Sequence, residues 1–247
     1  YMNIIVVGGT GATGRHFVNE LLLQGNMVTI IVRNTDMIDT YFQNKANLTV
    51  IKGNVLEMDD VKLSELVKNF DAIGSCLGHN LTLKGIFCKP HKLVSETIQR
   101  LCKAVQDFEH KKPVKVVLMN TTGVKNKDIQ EKWTAGEGIV MILVRNLIPP
   151  QIDNEQAAEY LRSNIGRDNK KIEWVIVRPD TLVNEEKITE YKIFDSPIRS
   201  PLFDAGKTSR INVGSFMSEL INNESKWNEW KGKMPVIYNE SSMKVIK

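Results

Sequence analysis

The 247-residue sequence has no apolar stretch long enough to cross a membrane. Its longest apolar run, residues 139–144, ends at Arg145 and is far shorter than the roughly 20 residues of a membrane helix. The start of the chain also lacks the apolar segment of a secretory signal. We therefore predict a cytoplasmic protein that has no membrane partner.

Cysteine is scarce, and the residues that usually bind metals are dispersed. The three cysteines, Cys76, Cys88 and Cys102, are an odd number and form no Cys-x-x-Cys pair. The four histidines show no paired spacing, and no Cys/His cluster resembles a metal site. These absences predict free thiols in a reducing compartment and no bound metal.

Blocks of like charge, internal repeats and low-complexity tracts are absent as well. The formal net charge is +4 and the basic residues are scattered, which argues against nucleic acid as a partner. An apolar content of 42% is ordinary for a soluble globular protein. We predict one domain over residues 1–247 that acts on a small molecule, with substrate-side segments at roughly 125–155 and 180–210. The oligomeric state stays open.

What the sequence does have is a glycine-dense turn near its start. An apolar run at 3–7 leads into this turn, and apolar residues then recur at helical spacing from 17 to 22. Glycine spacings that begin at Gly8 and at Gly9 both fit, so the register stays open. Strand, glycine turn and helix in this order predict a pyrophosphate site, the alternative being a plain βα turn. The predicted binding residues of the turn are Gly8, Thr10, Gly11, Ala12, Thr13 and Gly14.

Two arginines indicate which cofactor this turn would bind. The second predicted strand, 27–32, is followed by Arg33, at the place where an NAD site has an acid for the ribose hydroxyl. An arginine there favours the 2′-phosphate of NADP(H). Arg15, in the first helical turn, is a second candidate phosphate contact, and an exposed helix arginine is the equal alternative.

Other candidate cofactor contacts follow the next two strands. Asn54 comes after the strand 47–51 and is placed to bind adenine, although capping of the next helix explains it equally well. Leu77 and Gly78 come at the exit of the strand 71–78, where the cofactor would lie against the strand ends. The helix between these strands, 59–70, is predicted to turn Val61 inward with its other apolar residues.

The remaining strands and helices continue this alternation. A fifth strand, 114–119, leads to Thr121 and Thr122 at a carboxyl edge, and a sixth, 174–177, leads to Pro179. A late helix at 211–221 and a last edge strand at 235–238 complete the pattern. The fold class is therefore α/β, a Rossmann-type doubly wound parallel sheet with a small C-terminal substrate-side region.

Together these pieces resemble the atypical short-chain dehydrogenases/reductases of the NmrA-like, NAD(P)H-binding type, a group that includes flavin and biliverdin reductases. The resemblance implies that Gly8, Gly11 and Gly14 hold the pyrophosphate. It also implies that Arg33 holds the 2′-phosphate and that Pro179 lies by the nicotinamide. Asn54 stands where the family usually has Asp. The matching segments, in the family's order, are 8–14, 32–34, 53–55, 75–78, 157–159 with 161–162, 177–179 and 209–213.

At one place the chain departs from the usual pattern of the family. Many relatives have a Tyr-x-x-x-Lys pair just before the segment at 157–159, and those positions fall here on Gln151 and Glu155, within one residue. The only Tyr-x-x-x-Lys of the chain, Tyr41 to Lys45, follows the second strand, and we interpret it as chance. The usual proton donor for reduction of a simple ketone is therefore not predicted.

Two functions are compatible with this departure. The first is an NADPH-dependent reductase that transfers hydride to a flat conjugated acceptor, such as a flavin, a quinone or a tetrapyrrole, which needs little acid catalysis. Thr121 and Thr122 are its candidate catalytic residues, as hydrogen-bond donors to the acceptor, with capping of the strand exit as the alternative for at least one of them. The second function is a non-catalytic, NADP-binding redox sensor or regulatory scaffold.

Overall fold

The computed structural model describes residues 1–36, 38–42, 46–78, 92–131, 136–138, 140 and 149–243. In these residues an eight-stranded sheet has the order β3-β2-β1-β4-β5-β6-β10-β8, and β7 and β9 form a separate two-stranded sheet. The strands are β1 (Asn3–Val7), β2 (Met27–Val32), β3 (Leu48–Lys52), β4 (Ala72–Ser75), β5 (Val114–Met119), β6 (Ile172–Pro179), β7 (Thr181–Val183), β8 (Tyr191–Phe194), β9 (Lys207–Ser209) and β10 (Val236–Asn239).

Helices cover both faces of the large sheet. The α-helices are α1 (Gly14–Leu23), α2 (Ile38–Tyr41), α3 (Asp60–Val67), α4 (Leu93–Gln106), α5 (Pro149–Glu159), α6 (Arg210–Asn222) and α7 (Glu224–Trp230). Short 3₁₀ turns lie at Val55–Glu57 and Glu240–Met243, and a π-helical turn, Tyr160–Ile165, continues α5. One buried cluster joins the sheet to α1, α6 and α7, and the other joins it to α3, α4 and α5.

Strand β1 organises the sheet because it pairs in parallel with β2 on one side and β4 on the other. Its residues alternate between the two clusters, with Ile4 and Val6 on the α1 face and Ile5 and Val7 on the α4 face. Burial on both faces is typical of parallel strands between helix layers. The predicted Rossmann-type α/β fold is confirmed.

Two details of the fold prediction are wrong. The last strand, β10, lies inside the sheet between β6 and β8, and the antiparallel edge strand is β8. All four residues of β10 are buried, which an interior position requires. Val61 is 73% exposed, because Asp59 caps α3 and the buried stripe of that helix runs through Leu63 and Val67.

Candidate cofactor site

The glycine turn after β1 is folded too tightly for larger residues at two positions. Gly8 has a φ of +74°, and a Cβ atom there would lie 2.6 Å from the carbonyl carbon of Cys76. A Cβ atom on Gly14 would lie 2.0 Å from the carbonyl oxygen of Gly8. The turn is closed by a hydrogen bond from the Gly11 N–H to that same oxygen, at 3.0 Å. These glycines are therefore required for β1, the turn and α1 to pack together.

The backbone N–H groups at the N-terminus of α1 donate no hydrogen bond to the N-cap side chain. Thr13, at the N-cap, is buried and makes no side-chain cap bond, and the first turn of the helix contains no acidic residue. The positive end of the helix dipole is thus left without a protein carboxylate. A helix N-terminus beside a glycine turn suits a phosphate group, as the sequence predicts.

An open cleft runs from this turn across the carboxyl ends of β1, β2, β3 and β4. Five predicted cofactor residues line it together: Gly8, Thr10, Arg33, Asn54 and Leu77. Sequence analysis missed the other residues of the lining, which are Val7, Ile31, Val32, Gly53, Val55, Leu93 and Thr97. Leu93 and Thr97 lie one turn apart at the start of α4, which packs beside the carboxyl ends of the strands, where ligands of such sheets bind.

The other seven residues of the predicted cofactor site lie outside this lining: Gly11, Ala12, Thr13, Gly14, Arg15, Gly78 and Pro179. Gly11 and Ala12 are exposed at the tip of the glycine turn. Gly78 is exposed after β4, and a Cβ atom there would have no neighbour within 4 Å. Pro179 is buried at the carboxyl end of β6, on the other side of the sheet centre from the cleft. A dinucleotide that spans the sheet edge would have to reach from one group to the other.

Asn54 has the capping role that was its alternative explanation. Its Oδ1 accepts a hydrogen bond from the Leu56 N–H at 3.2 Å, and its Nδ2 donates to Glu57 Oε1 at 2.8 Å. An asparagine amide retains one further donor and one further acceptor after these two bonds. Asn54 therefore lines the cleft and caps the turn at once, and its contact with adenine stays a prediction.

The predicted catalytic threonines lie beside Pro179. The Thr122 N–H donates to the Pro179 carbonyl oxygen at 3.2 Å, and Thr122 is buried. Thr121 is half-buried, and its Oγ1 accepts a hydrogen bond from the Gly123 N–H at 3.2 Å. Thr121 thus caps the turn after β5, as expected for at least one of the two residues. Both threonines are near the strand end where the nicotinamide is predicted.

Gln151 and Glu155, the predicted counterparts of the usual Tyr-x-x-x-Lys pair, are hydrogen-bonded to each other. Gln151 is buried in α5, and its Nε2 donates to the Gly123 carbonyl oxygen at 2.9 Å and to Glu155 Oε1 at 3.1 Å. Tyr160, at the end of the same helix, packs against the core, and burial raises its pKa to about 12. Gln151 fixes the turn after β5, but an amide is not a proton donor for catalysis.

Buried polar contacts attach the substrate-side segments to the end of β6. Arg178 is fully buried and pairs with Glu131, with its Nη2 at 2.6 Å from Oε1 and its Nη1 at 2.9 Å from Oε2. Asp180, the residue after Pro179, accepts a hydrogen bond from the Gly206 N–H at 3.0 Å. The segment between β8 and β9 is thereby held beside the predicted nicotinamide end.

Two of the cysteines are inaccessible thiols. Cys76 and Cys102 are buried, and burial raises the pKa of each to about 12. Neither is a thiolate at neutral pH, so neither supplies a nucleophile. Cys88 and His79 lie outside the described residues, as does Lys45 of the Tyr-x-x-x-Lys motif.

Within the part of the chain that the structure describes, no group of three or more His, Cys, Asp or Glu side chains is arranged to hold a metal ion. Over the same residues, every helix is too short or too polar to cross a membrane.

Solved structures with this fold cover nearly all of the chain. A putative "NAD-dependent epimerase/dehydratase" from Bacillus halodurans has a TM-score of 0.68 at 18% identity, over 97% of this chain and 94% of that one. A short-chain dehydrogenase/reductase from Veillonella parvula, in complex with NADP, has a TM-score of 0.67 at 17% identity, over 98% and 96%. A "putative NADH-flavin reductase" from Streptococcus pneumoniae has a TM-score of 0.66 at 15% identity, over 97% and 100%. At these identities the likeness establishes the fold.

Sequence comparison gives one short match and one long match. The photosystem II assembly factor Ycf39 of Synechocystis is 33% identical over 72 residues, which are 29% of this chain and only 21% of that relative's length. The profile of the NAD(P)H-binding family matches residues 8–224, from the glycine turn to the start of α7. The chain therefore belongs to the NAD(P)H-binding family, whose members share this oxidoreductase-like fold.

Proposed function

We propose that the protein is an NADPH-dependent reductase that transfers hydride to a flat conjugated acceptor. The observation that carries this proposal is the hydrogen-bonded Gln151, which stands where many relatives have their proton donor. The cleft, lined by five of the predicted cofactor residues, supports binding of the hydride donor, and the amide at Gln151 supports a reaction that needs little acid catalysis. An acceptor that delocalises the added electrons fits this combination, because solvent can deliver its proton.

The residues of the chain would divide the work as follows. The turn from Gly8 to Gly14 and the start of α1 would bind the pyrophosphate, and Arg33 would bind the 2′-phosphate. When bound, NADPH supplies the hydride, which is two electrons and one proton. Thr121 and Thr122 would hydrogen-bond the acceptor beside Pro179. Most of the rate enhancement would then come from holding the nicotinamide ring of the cofactor close to the ring system of the acceptor.

The substrate-side segment offers apolar surface for such an acceptor. Ile198 is 48% exposed and Phe203 is 66% exposed, and both belong to the segment between β8 and β9. That segment is attached to the end of β6 through Arg178, whose Nη2 donates to the Asp195 carbonyl oxygen, and through Asp180. An exposed aromatic ring on a segment attached to the end of β6 suits a flavin, a quinone or a tetrapyrrole better than a sugar nucleotide.

The amide at Gln151 also supports a second candidate, a non-catalytic sensor that reports the NADP(H) state to a partner. Both candidates need the cofactor cleft. They differ in whether bound NADPH is oxidised by any acceptor.

A titration followed by turnover separates them. NADPH and NADH are titrated into the protein while intrinsic fluorescence is recorded, and FMN, a quinone and biliverdin are then added separately. We expect tighter binding of NADPH than of NADH and oxidation of NADPH by one acceptor. Tight binding without oxidation by any of these acceptors would instead support the sensor, and equal affinities would contradict the assignment of the 2′-phosphate site.

A further inference from the structure

Tyr41, in the motif interpreted as chance, contacts one of the two predicted phosphate-binding arginines. The Cζ atom of Arg15 lies 5.0 Å from the centroid of the Tyr41 ring. Tyr41 is the last residue of α2, and its ring meets Phe42 edge-on at 6.2 Å. Phe42 is only 4% exposed and packs in the α1-side cluster, so this short helix is attached to the core. The ring is therefore a fixed support for the guanidinium.

A guanidinium held by a ring face keeps its hydrogen-bond donors available. Arg15 is half-buried, and none of the described carboxylates pairs with it. Contact through the ring face uses the flat side of the guanidinium and leaves its in-plane N–H groups free to point at an anion. An ion pair with a carboxylate would have used those groups. Arg15 is thus oriented without being neutralised.

Arg33 is also left without an acidic partner among the described residues. The nearest acid along the chain is Asp36, which is engaged with Asn34 instead. The Asn34 Nδ2 donates to Asp36 Oδ2 at 2.9 Å, and the Asp36 N–H donates to Asn34 Oδ1 at 2.8 Å. Arg33 lines the cleft, and Arg15 lies in the first turn of α1, directly after the glycine turn that borders it. Neither arginine has an ion pair with a described residue, and two such guanidinium groups suit a phosphate dianion.

We propose that Tyr41 is a positioning residue that sets the preference for NADPH over NADH by orienting Arg15 toward the 2′-phosphate. The inference rests on the proposed NADPH site. It gives a role to the tyrosine that is separate from any acid catalysis: the aromatic ring is required and the hydroxyl is not.

The test compares Tyr41→Leu with its matched control Tyr41→Phe, which keeps the ring. We expect Tyr41→Leu to raise the Kd for NADPH by roughly two- to fivefold, the value of an exposed cation–π contact. Tyr41→Phe should bind like the parent protein, and the Kd for NADH should be unchanged in both variants. The Kd for 2′,5′-ADP should follow that for NADPH, whereas the Kd for 5′-ADP should not change.

A double variant, Arg15→Ala with Tyr41→Leu, tests whether Tyr41 acts through Arg15. If Tyr41 acts through Arg15, then Tyr41→Leu should have no further effect on NADPH affinity in an Arg15→Ala background. Equal losses for NADPH and NADH would overturn the proposal, since they would place Arg15 at the pyrophosphate or indicate a general loss of structure. A loss in Tyr41→Phe as large as in Tyr41→Leu would also overturn it.

Failure of this inference and failure of the proposed function give different results. If the parent protein binds NADPH and NADH equally, the NADPH assignment itself is wrong. A different outcome would reject only the role of Tyr41. In that outcome the parent protein prefers NADPH, the Arg33→Ala variant loses this preference, and the Tyr41→Leu variant keeps it.

Discussion

Two parts of this molecule are stabilised in different ways. The cofactor half comprises β1 to β4 with the glycine turn, and the substrate half comprises the end of β6 with the segments attached to it. Around β1, the glycine turn is fixed by close backbone contacts: Gly11 and Gly14 approach the carbonyl oxygen of Gly8, and Gly8 itself lies against the backbone of Cys76 after β4. Around β6, the essential contacts join distant parts of the chain through buried charge. Arg178 contacts Glu131, 47 residues earlier, and Asp180 contacts Gly206, 26 residues later.

This difference determines how each half tolerates change. Short-range backbone geometry depends on glycine itself, so the cofactor half has a recognisable sequence. The substrate half depends on pairs of side chains, so we expect substitutions in the segments between these pairs to be tolerated. A common cofactor site with variable acceptors would follow from this arrangement.

The largest effect should come from breaking the buried pair of the substrate half. Arg178→Met would leave Glu131 buried without its cation, and loss of one partner of a buried ion pair costs about 3–5 kcal/mol. In the parent protein, Arg178 also donates from Nε to the Met234 carbonyl oxygen and from Nη1 to the Val124 carbonyl oxygen. Both carbonyl groups would lose these donors in the variant. We expect this loss in the free energy of unfolding, measured with urea.

The double variant Arg178→Met, Glu131→Leu is the control for charge. It removes both ions, so it should be less destabilised than Arg178→Met alone. Equal destabilisation of the two variants would show that packing, not the unpaired carboxylate, is responsible. The probe 2′,5′-ADP reaches only the adenosine end of the cofactor site. If the two halves are energetically independent, its Kd should stay within about twofold of the parent value in both folded variants.

The next effect concerns the cofactor half alone. Arg33→Ala should weaken NADPH binding by about tenfold or more, since a hydrogen bond to a charged group contributes about 1.5–3 kcal/mol. NADH binding should change little, and unfolding in urea should be unaffected because Arg33 is exposed. Fluorescence titration with both cofactors measures the effect. Equal losses for the two cofactors would reject Arg33 as the 2′-phosphate contact.

The glycine turn and the strands of the cofactor half could be predicted from the sequence because their signals are local. The glycine spacing, the arginine after β2 and the apolar strand runs each lie within a few residues, and five predicted residues do line one cleft. Leu93 and Thr97 were missed because their place in the cleft depends on how α4 packs across the sheet. That packing is partly set by Asp153, whose carboxylate accepts from the N–H groups of Val94 and Ser95.

The substrate half was predicted less well because its signals are not local. Nothing near β10 indicates that β8, some 40 residues earlier, would pair with its outer side and make it an interior strand. Likewise, the sequence predicts that the sixth strand ends near Arg178 but cannot identify Glu131 as its partner. Both depend on tertiary contacts, which single-sequence patterns do not contain.

The smallest of these three effects tests whether the apolar surface of the substrate half contacts the acceptor. Phe203→Ala should raise the KM for the acceptor by roughly threefold to tenfold, because partial burial of a phenyl ring under a flat ligand is worth up to about 1.5 kcal/mol. The kcat and the Kd for NADPH should not change, since Phe203 takes no part in hydride or proton transfer.

Leu23→Ala is the matched control for this change. Leu23 is 69% exposed, against 66% for Phe203, but it lies at the C-terminal end of α1, at the opposite end of that helix from the glycine turn. Its loss should leave every kinetic constant unchanged. If Phe203→Ala behaves like Leu23→Ala, the acceptor binds elsewhere and the exposed ring of the substrate half is an ordinary surface residue. If only Phe203→Ala raises the acceptor KM, the segment held by Arg178 and Asp180 forms part of the acceptor site.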